Sequence, residues 1–198
     1  MKWKLLLSIL GMAAVSAFGQ STIWLDNYNT GGPNVTHFNA NGPGLGAGYT
    51  MGLYYALGNV TGSVSTDPTG IADPTTLGGG LVLGTGVGST AAFYTSAFNT
   101  PGEAMAGAAF TVPGTSAAGG NLITLMITAY NGFSYLSSFD RGHSTAFTLT
   151  TSAESSPDPI STGTAMPAFY IGLPEPSTFV LTGFALLSYL ALRRRIEK

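Results

Sequence analysis

The fold of this chain is decided by one nine-residue run, Leu122-Ile123-Thr124-Leu125-Met126-Ile127-Thr128-Ala129-Tyr130. Apolar side chains occupy every second position of the run, at Ile123, Leu125, Ile127 and Ala129. Successive side chains of a β-strand point to opposite faces of the sheet. This spacing therefore predicts a strand with one face in the core.

The same two-residue period recurs through the middle of the chain. The predicted strands cover residues 50–57 and 144–150 and, with weaker patterns, 22–26, 81–83, 91–94, 108–112 and 168–171. Clusters of Gly, Pro and Asn separate them, as in Asn41-Gly42-Pro43-Gly44, and such clusters are typical of turns. No window between the two ends has a helical period. We therefore predict a mainly β fold, an antiparallel β-sandwich or jelly-roll-like ectodomain.

The N-terminus has the three parts of a secretory signal peptide. Lys2 and Lys4 precede an apolar stretch at residues 5–15, and small residues stand at Ala17 and Gly19. These positions are the −3 and −1 sites of a cleavage before Gln20. We expect residues 1–19 to be removed on export; the alternative is an uncleaved anchor.

An uncharged segment of 16 residues, 177–192, lies near the C-terminus and is followed by Arg193, Arg194 and Arg195. As a helix it would be about 24 Å long, against a hydrocarbon core of about 30 Å. Snorkelling arginines and local thinning of the bilayer close this gap at modest cost. We predict a single short transmembrane helix, with the basic tail at 193–198 cytoplasmic and the N-terminal part outside. The alternative is a buried amphipathic helix, which a run that is apolar on all sides does not favour.

The tail opens with Pro174-Glu175-Pro176-Ser177-Thr178, ahead of the apolar segment and the arginines. In this order the three parts resemble the PEP-CTERM sorting domain of Gram-negative bacteria, over residues 173–198. The resemblance implies cleavage near the Pro-Glu-Pro element by an exosortase-type membrane protease. It also implies export through the inner membrane to the cell surface or extracellular matrix, in association with exopolysaccharide or biofilm. A sortase signal of the Leu-Pro-x-Thr-Gly type is the competing interpretation, but Pro176 and Ser177 stand where Thr and Gly are needed.

These boundaries leave a β-rich ectodomain at residues 20–172. Between residues 20 and 176 the single cation is Arg141, and eight carboxylates leave a net charge of −7, whereas the whole chain carries −2. A domain without a basic surface cannot neutralise phosphates, so nucleic acid is excluded as a partner. The chain has no cysteine, which excludes disulfides, thiol catalysis and thiolate metal sites.

Two motifs approximate enzyme signatures. Gly142-His143-Ser144-Thr145-Ala146 is close to the nucleophile elbow G-x-S-x-G, with Asp140 as a candidate acid, and residues 86–91 match G-x-G-x-x-A. The elbow needs a strand-to-helix turn, and the dinucleotide motif needs a helix directly after it. Both are followed here by strand-like sequence. We therefore predict that the protein is not an enzyme, with a secreted hydrolase as the third hypothesis, and that it takes no cofactor.

Oxygen-rich stretches begin at Asp26 and at Asp67, and the ectodomain has two histidines, His37 and His143. Neither stretch has the ligand spacing of a known calcium loop, and Asx turns explain both. Two histidines are too few to predict zinc. We predict no metal site.

Aromatic residues surround an Asn-Gly pair in Tyr130-Asn131-Gly132-Phe133-Ser134-Tyr135. Tyr130, Phe133 and Tyr135 are candidate glycan contacts, because flat rings stack on sugar faces. An exposed face could be extended by the further rings Trp24, Tyr49, Tyr54 and Tyr55. The alternative is that these rings fill the core and brace a hairpin. We predict an exported, non-enzymatic surface or matrix protein; the alternative is a carbohydrate-binding module.

Overall fold

The computed structural model describes residues 19–28, 31–39, 41–94 and 101–172. Within these ranges the secondary structure is mainly β, as predicted, with three short 3-10 helices at Thr61–Ser63, Pro74–Thr76 and Thr162–Thr164. The strands are β1 (Thr22–Ile23), β2 (Thr36–His37), β3 (Thr50–Leu57), β4 (Val82–Leu83), β5 (Thr90–Ala92), β6 (Phe110–Thr111), β7 (Leu122–Tyr130), β8 (Arg141–His143), β9 (Phe147–Thr150) and β10 (Tyr170–Ile171).

The two strands with the clearest alternation form the centre of a six-stranded sheet. β3 and β7 run antiparallel in register from Thr50↔Tyr130 to Leu57↔Ile123. The outer edge of β3 pairs with β4 and β5, and the outer edge of β7 pairs with β8 and β9. The predicted bounds of both central strands are confirmed.

The predicted strand at 144–150 begins later, at Phe147. β8 pairs with one end of β7 and β9 with the other, and Ser144 lies between them. The Ser144 amide donates to the carbonyl of Ile127 at 2.8 Å, and the Ile127 amide donates back to Ser144 Oγ at 3.0 Å. A side-chain oxygen thus replaces a backbone acceptor and lets the chain change from β8 to β9.

The remaining strands form two small sheets, an antiparallel β1–β6 pair and a parallel β2–β10 pair. The predicted antiparallel pairing holds for β1–β6 and not for β2–β10. The prediction of a strand at 22–26 was too long, because beyond Ile23 the partner changes at each step: Trp24 bridges Ser161 in parallel, and Asp26 bridges Met105 in antiparallel. β2 and β8 were not predicted.

Both faces of the central sheet are covered. Ile123, Leu125 and Ile127 share a core cluster with residues of the two small sheets, including Ile23 and Phe110. On the opposite face a second cluster consists of Tyr54, Ala56, Leu81 and Met126, with Val60, Val64, Leu77 and Ala146 packed against it. The prediction that only one face of β7 is in the core was therefore wrong. Segment 58–81 folds over the second face, which buries Thr124, Met126 and Thr128 as well.

The predictions for the two ends of the chain fall mainly on residues that lie outside the described ranges. These are Ala17, the sorting motif at Pro174, Glu175, Pro176, Ser177 and Thr178, the apolar segment 177–192, and Arg193, Arg194 and Arg195. Gly19 and Gln20 are described and half-buried, and Ser21 is buried, with its amide donating to Thr115 Oγ1. Among the described residues no helix is long and apolar enough to cross a membrane.

Candidate functional site

The loop between β7 and β8, residues 131–140, carries most of the predicted glycan contacts. Phe133 is fully exposed, Tyr130 is half-buried, and Tyr135 retains only 3% of its accessible surface. Of the three candidate glycan contacts, Tyr135 is thus buried, as the alternative of core-filling rings expects. Tyr54 and Tyr55 are buried in the two core clusters, and Trp24 and Tyr49 pack against the larger one.

Tyr135 is buried because its ring fills the space between neighbours on the covered face of the sheet. It makes edge-on contacts with Tyr54 and Tyr130, with ring centroids 6.3 Å and 6.2 Å away. Burial raises the pKa of the Tyr135 phenol well above its usual range. The ring therefore braces the loop and is closed to a ligand.

Arg141, the single cation of the ectodomain, holds the loop in place. Its Nε donates to the carbonyl of Ile71 at 3.1 Å. Its Nη1 donates to three loop carbonyls, of Leu136 at 2.6 Å, Ser138 at 3.3 Å and Tyr135 at 3.4 Å. The guanidinium carbon also lies 5.5 Å from the centre of the Tyr135 ring, within the range of a cation–π contact. The guanidinium is thus directed into the loop.

The braced loop presents three large apolar side chains to solvent. Phe133 is fully exposed, Phe139 is 81% exposed and Leu136 is 53% exposed. Sequence analysis singled out Phe133 but missed the other two. No local sequence pattern marks these two, because their exposure depends on how the loop folds.

The loop ends beside a small polar cluster. The Tyr49 hydroxyl donates to Asp140 Oδ2 at 2.5 Å, and His37 Nδ1 lies 3.8 Å from the same oxygen. Burial, together with this hydrogen bond, raises the pKa of Tyr49 to about 12. Asp140, the candidate acid of the hydrolase hypothesis, is therefore engaged with Tyr49 and not with His143.

His143 and Ser144 do not form a nucleophilic pair. His143 Nε2 lies 3.1 Å from Asp67 Oδ2, and its Nδ1 lies 2.8 Å from the carbonyl oxygen of Ser144. The Ser144 hydroxyl is buried, donates to the carbonyl of Thr145 and accepts from Ile127. Neither a base nor solvent reaches this hydroxyl, so the elbow motif has a structural role.

The other motifs have equally local explanations. β5 follows the glycines at 86–88, so no helix N-terminus is present there to hold a phosphate. Asp67 accepts from the amide and hydroxyl of Thr69, and Asp26 accepts from the amide of Tyr28, as Asx turns do. No group of three or more His, Asp or Glu side chains able to hold a metal occurs among the described residues.

An open cavity of about 450 Å³ lies beside β1. Its walls include Trp24, Met105 and Ile160 as apolar residues and Asp26, Ser161 and Thr164 as polar ones. The indole nitrogen of Trp24 donates to the carbonyl of Ala106, which fixes the ring. Burial raises the pKa of Asp26, against the effect of hydrogen bonds from Tyr28 and Ser161. An aromatic wall beside hydroxyls and a carboxylate is suited to a neutral polyhydroxylated ligand.

No family model, curated protein or solved structure matches this chain. The PEP-CTERM resemblance accordingly depends on the residues of the tail alone.

Proposed function

We propose that this is an exported, non-enzymatic surface or matrix protein whose C-terminal tail is processed by an exosortase-type membrane protease. The observation that carries the proposal is the order of parts in the tail: Pro174-Glu175-Pro176, the uncharged segment 177–192, then Arg193-Arg194-Arg195. The protein enters the inner membrane through this segment with its N-terminus outside. After cleavage it resides at the cell surface or in the extracellular matrix, in association with exopolysaccharide.

The contacts at both ends of the ectodomain support this proposal. Val112 donates its amide to the carbonyl of Ser21, and Phe38 donates its amide to the carbonyl of Ile171. Cleavage before Gln20 and at 174–178 would leave both contacts intact. On our proposal the released ectodomain is a β-sandwich of two layers. The six-stranded sheet is one layer, and the β1–β6 and β2–β10 pairs together form the other. The core cluster that these pairs share with the six-stranded sheet supports this arrangement.

Tail variants test the proposal in a host that has an exosortase. We expect Glu175→Ala with Pro176→Ala, and separately Arg193, Arg194 and Arg195 all changed to Gln, to leave the protein in the membrane fraction. Pro157→Ala, an exposed proline outside the motif, is the matched control and should be released normally. Release of the motif variants at the wild-type rate would contradict exosortase processing.

A carbohydrate-binding module is the second candidate, and the Trp24 cavity is the observation that favours it. Phe133, the one fully exposed ring of the predicted aromatic face, offers a further stacking surface. Trp24 is the single tryptophan after residue 19, so the emission of the mature protein reports on this cavity directly. Titration with soluble glycans should change this emission, and Asp26→Asn should weaken the response. Constant emission across a broad glycan panel would argue for a purely structural domain.

A further inference from the structure

The last described residue, Gly172, lies beside the exposed aromatic side chain of Phe38. A ring atom of Phe38 lies 2.8 Å from the place where a Cβ on Gly172 would stand, and Asp140 Oδ1 lies 3.6 Å from it. Phe38 is half exposed. Its φ of +63° is unusual for a bulky residue. Phe139 precedes Asp140 directly, so the 131–140 loop ends at this exit.

The surface around Gly172, which consists of Phe38 and of Phe139 and Asp140 at the end of the 131–140 loop, is named the exit face. Its exposed apolar side chains are Phe38, which is 51% exposed, and Phe139, which is 81% exposed. The backbone beside each is fixed: the Phe38 amide donates to the carbonyl of Ile171 at 2.7 Å, and the Asn131 amide donates to the carbonyl of Asp140 at 3.1 Å. Large apolar side chains that lie together on a soluble surface commonly mark a contact with a partner.

The charge of the exit face does not favour an acidic or nucleic-acid partner. The guanidinium of Arg141 is engaged with carbonyls of the loop, and the carboxylate of Asp140 accepts from Tyr49. Attraction to this face therefore has to come from apolar burial. Aromatic side chains of this kind are favoured at the interface between a bilayer and water.

The length of the chain after Gly172 limits how far this face can be from a membrane. The uncharged segment starts at Ser177, five residues further on. Five residues span at most about 18 Å even when fully extended. Once the segment is inserted, Gly172 and the exit face around it are held within about 18 Å of the lipid headgroups.

We propose that the exit face docks on the bilayer interface while the tail is still attached, and that cleavage of the tail frees it. The occupant is a zwitterionic lipid surface, contacted by Phe38 and Phe139. This inference rests on the proposed function, since it requires segment 177–192 to be in the membrane.

The absence of cysteine from the chain allows a direct test with single-cysteine variants carrying an environment-sensitive fluorophore. Phe139→Cys reports on the exit face, and Ser188→Cys reports on insertion of the tail. Leu122→Cys is the matched control: it is a half-exposed apolar residue at the far end of β7, about 26 Å from Tyr130 along the strand. The full chain, prepared in a host without exosortase so that the tail remains, is reconstituted into phosphatidylcholine vesicles with or without nitroxide-labelled lipid.

We expect the probes at 139 and 188 both to shift to the blue and to be quenched by the nitroxide lipid, with the probe at 122 unaffected. Adding anionic lipid should not strengthen the response at 139, because the face has no free cation among its described residues. If the probe at 188 responds but the probe at 139 behaves like the one at 122, docking is refuted while tail insertion stands. Without a response at 188, both proposals fail. A shift at 139 that needs no vesicles and grows with protein concentration identifies a second copy as the occupant and overturns the inference.

Discussion

Asp67 is a buried carboxylate that is well supplied with hydrogen bonds. Its Oδ1 accepts from the amide and hydroxyl of Thr69, and its Oδ2 accepts from the amide of Ala72 and faces His143 Nε2. Burial by itself raises the pKa of Asp67, but the hydrogen bonds outweigh it and hold the pKa well below its usual range. The ionised carboxylate therefore joins segment 58–81 to β8.

We predict that Asp67→Asn lowers the free energy of unfolding at pH 7 by about 2 kcal/mol, the typical scale for losing hydrogen bonds to a charged group. Because the folded-state pKa is depressed, the contribution of Asp67 is present at neutral pH and is lost as the pH falls below about 4. The free energy of unfolding, measured with urea, should differ less between pH 7 and pH 3 for the variant than for the wild type. Glu154→Gln, which changes an exposed carboxylate, is the control. If Asp67→Asn kept the wild-type dependence of stability on pH, the stabilising role of the ionised Asp67 carboxylate would be contradicted.

Arg141 stabilises its loop through the shape of the guanidinium as well as through its charge. Lysine keeps the charge but cannot reproduce a fork that contacts Ile71 and three loop carbonyls. We predict that Arg141→Lys lowers stability by about 1–2 kcal/mol. Amide exchange should become faster at Asn131 and Ser138, whose amides donate within the loop. Phe133→Ser, at an exposed position, is the control and should leave the free energy of unfolding and the exchange rates near wild type. Equal effects of the two variants would contradict the role of Arg141 in holding the loop.

At the scale of single elements, alternation predicted the central strands with their observed bounds and most of the short ones only approximately. β3 and β7 have enough residues to display their period. β2 has two residues and pairs with β10 across more than a hundred positions of the chain, so no local pattern marks β2. The covering of both sheet faces was missed because Thr124 and Thr128 are polar. Thr124 is satisfied by the carbonyl of Gly58 and the amide of Val60, which only the folded chain brings close.

The contact between β8 and β10 depends on a glycine. A Cβ added at Gly142 would lie 2.7 Å from the carbonyl oxygen of Tyr170 and 2.9 Å from Ile171 Cγ2. We predict that Gly142→Ala destabilises the protein by about 1–3 kcal/mol, because the backbone of β10 has to shift. Gly107→Ala is the matched control, since nothing lies within 4 Å of its added Cβ and its φ is not positive. Urea midpoints that fall equally for both variants would contradict a close packing of these two strands.

At the scale of the whole molecule, the predicted division of the chain depends on local patterns, whereas the surface of the domain depends on the fold. The patterns that predict a signal peptide and a sorting tail are each contiguous, so they can be read without a fold and remain predictions. The exit face brings together Phe38, Asp140 and Gly172, which are distant in the sequence and meet only after folding. The burial of Tyr135 likewise depends on Tyr54 and Arg141, and neither is marked by the aromatic motif itself.

The central claim is that the ectodomain is exported and then separated from its tail. The most direct measurement is the intact mass of the protein from its native host, compared between the membrane and extracellular fractions. We predict an extracellular species that begins near Gln20 and ends between Pro174 and Thr178. A species that retains residues 179–198 and occurs only in membranes would contradict the claim and identify a permanently anchored, single-pass protein.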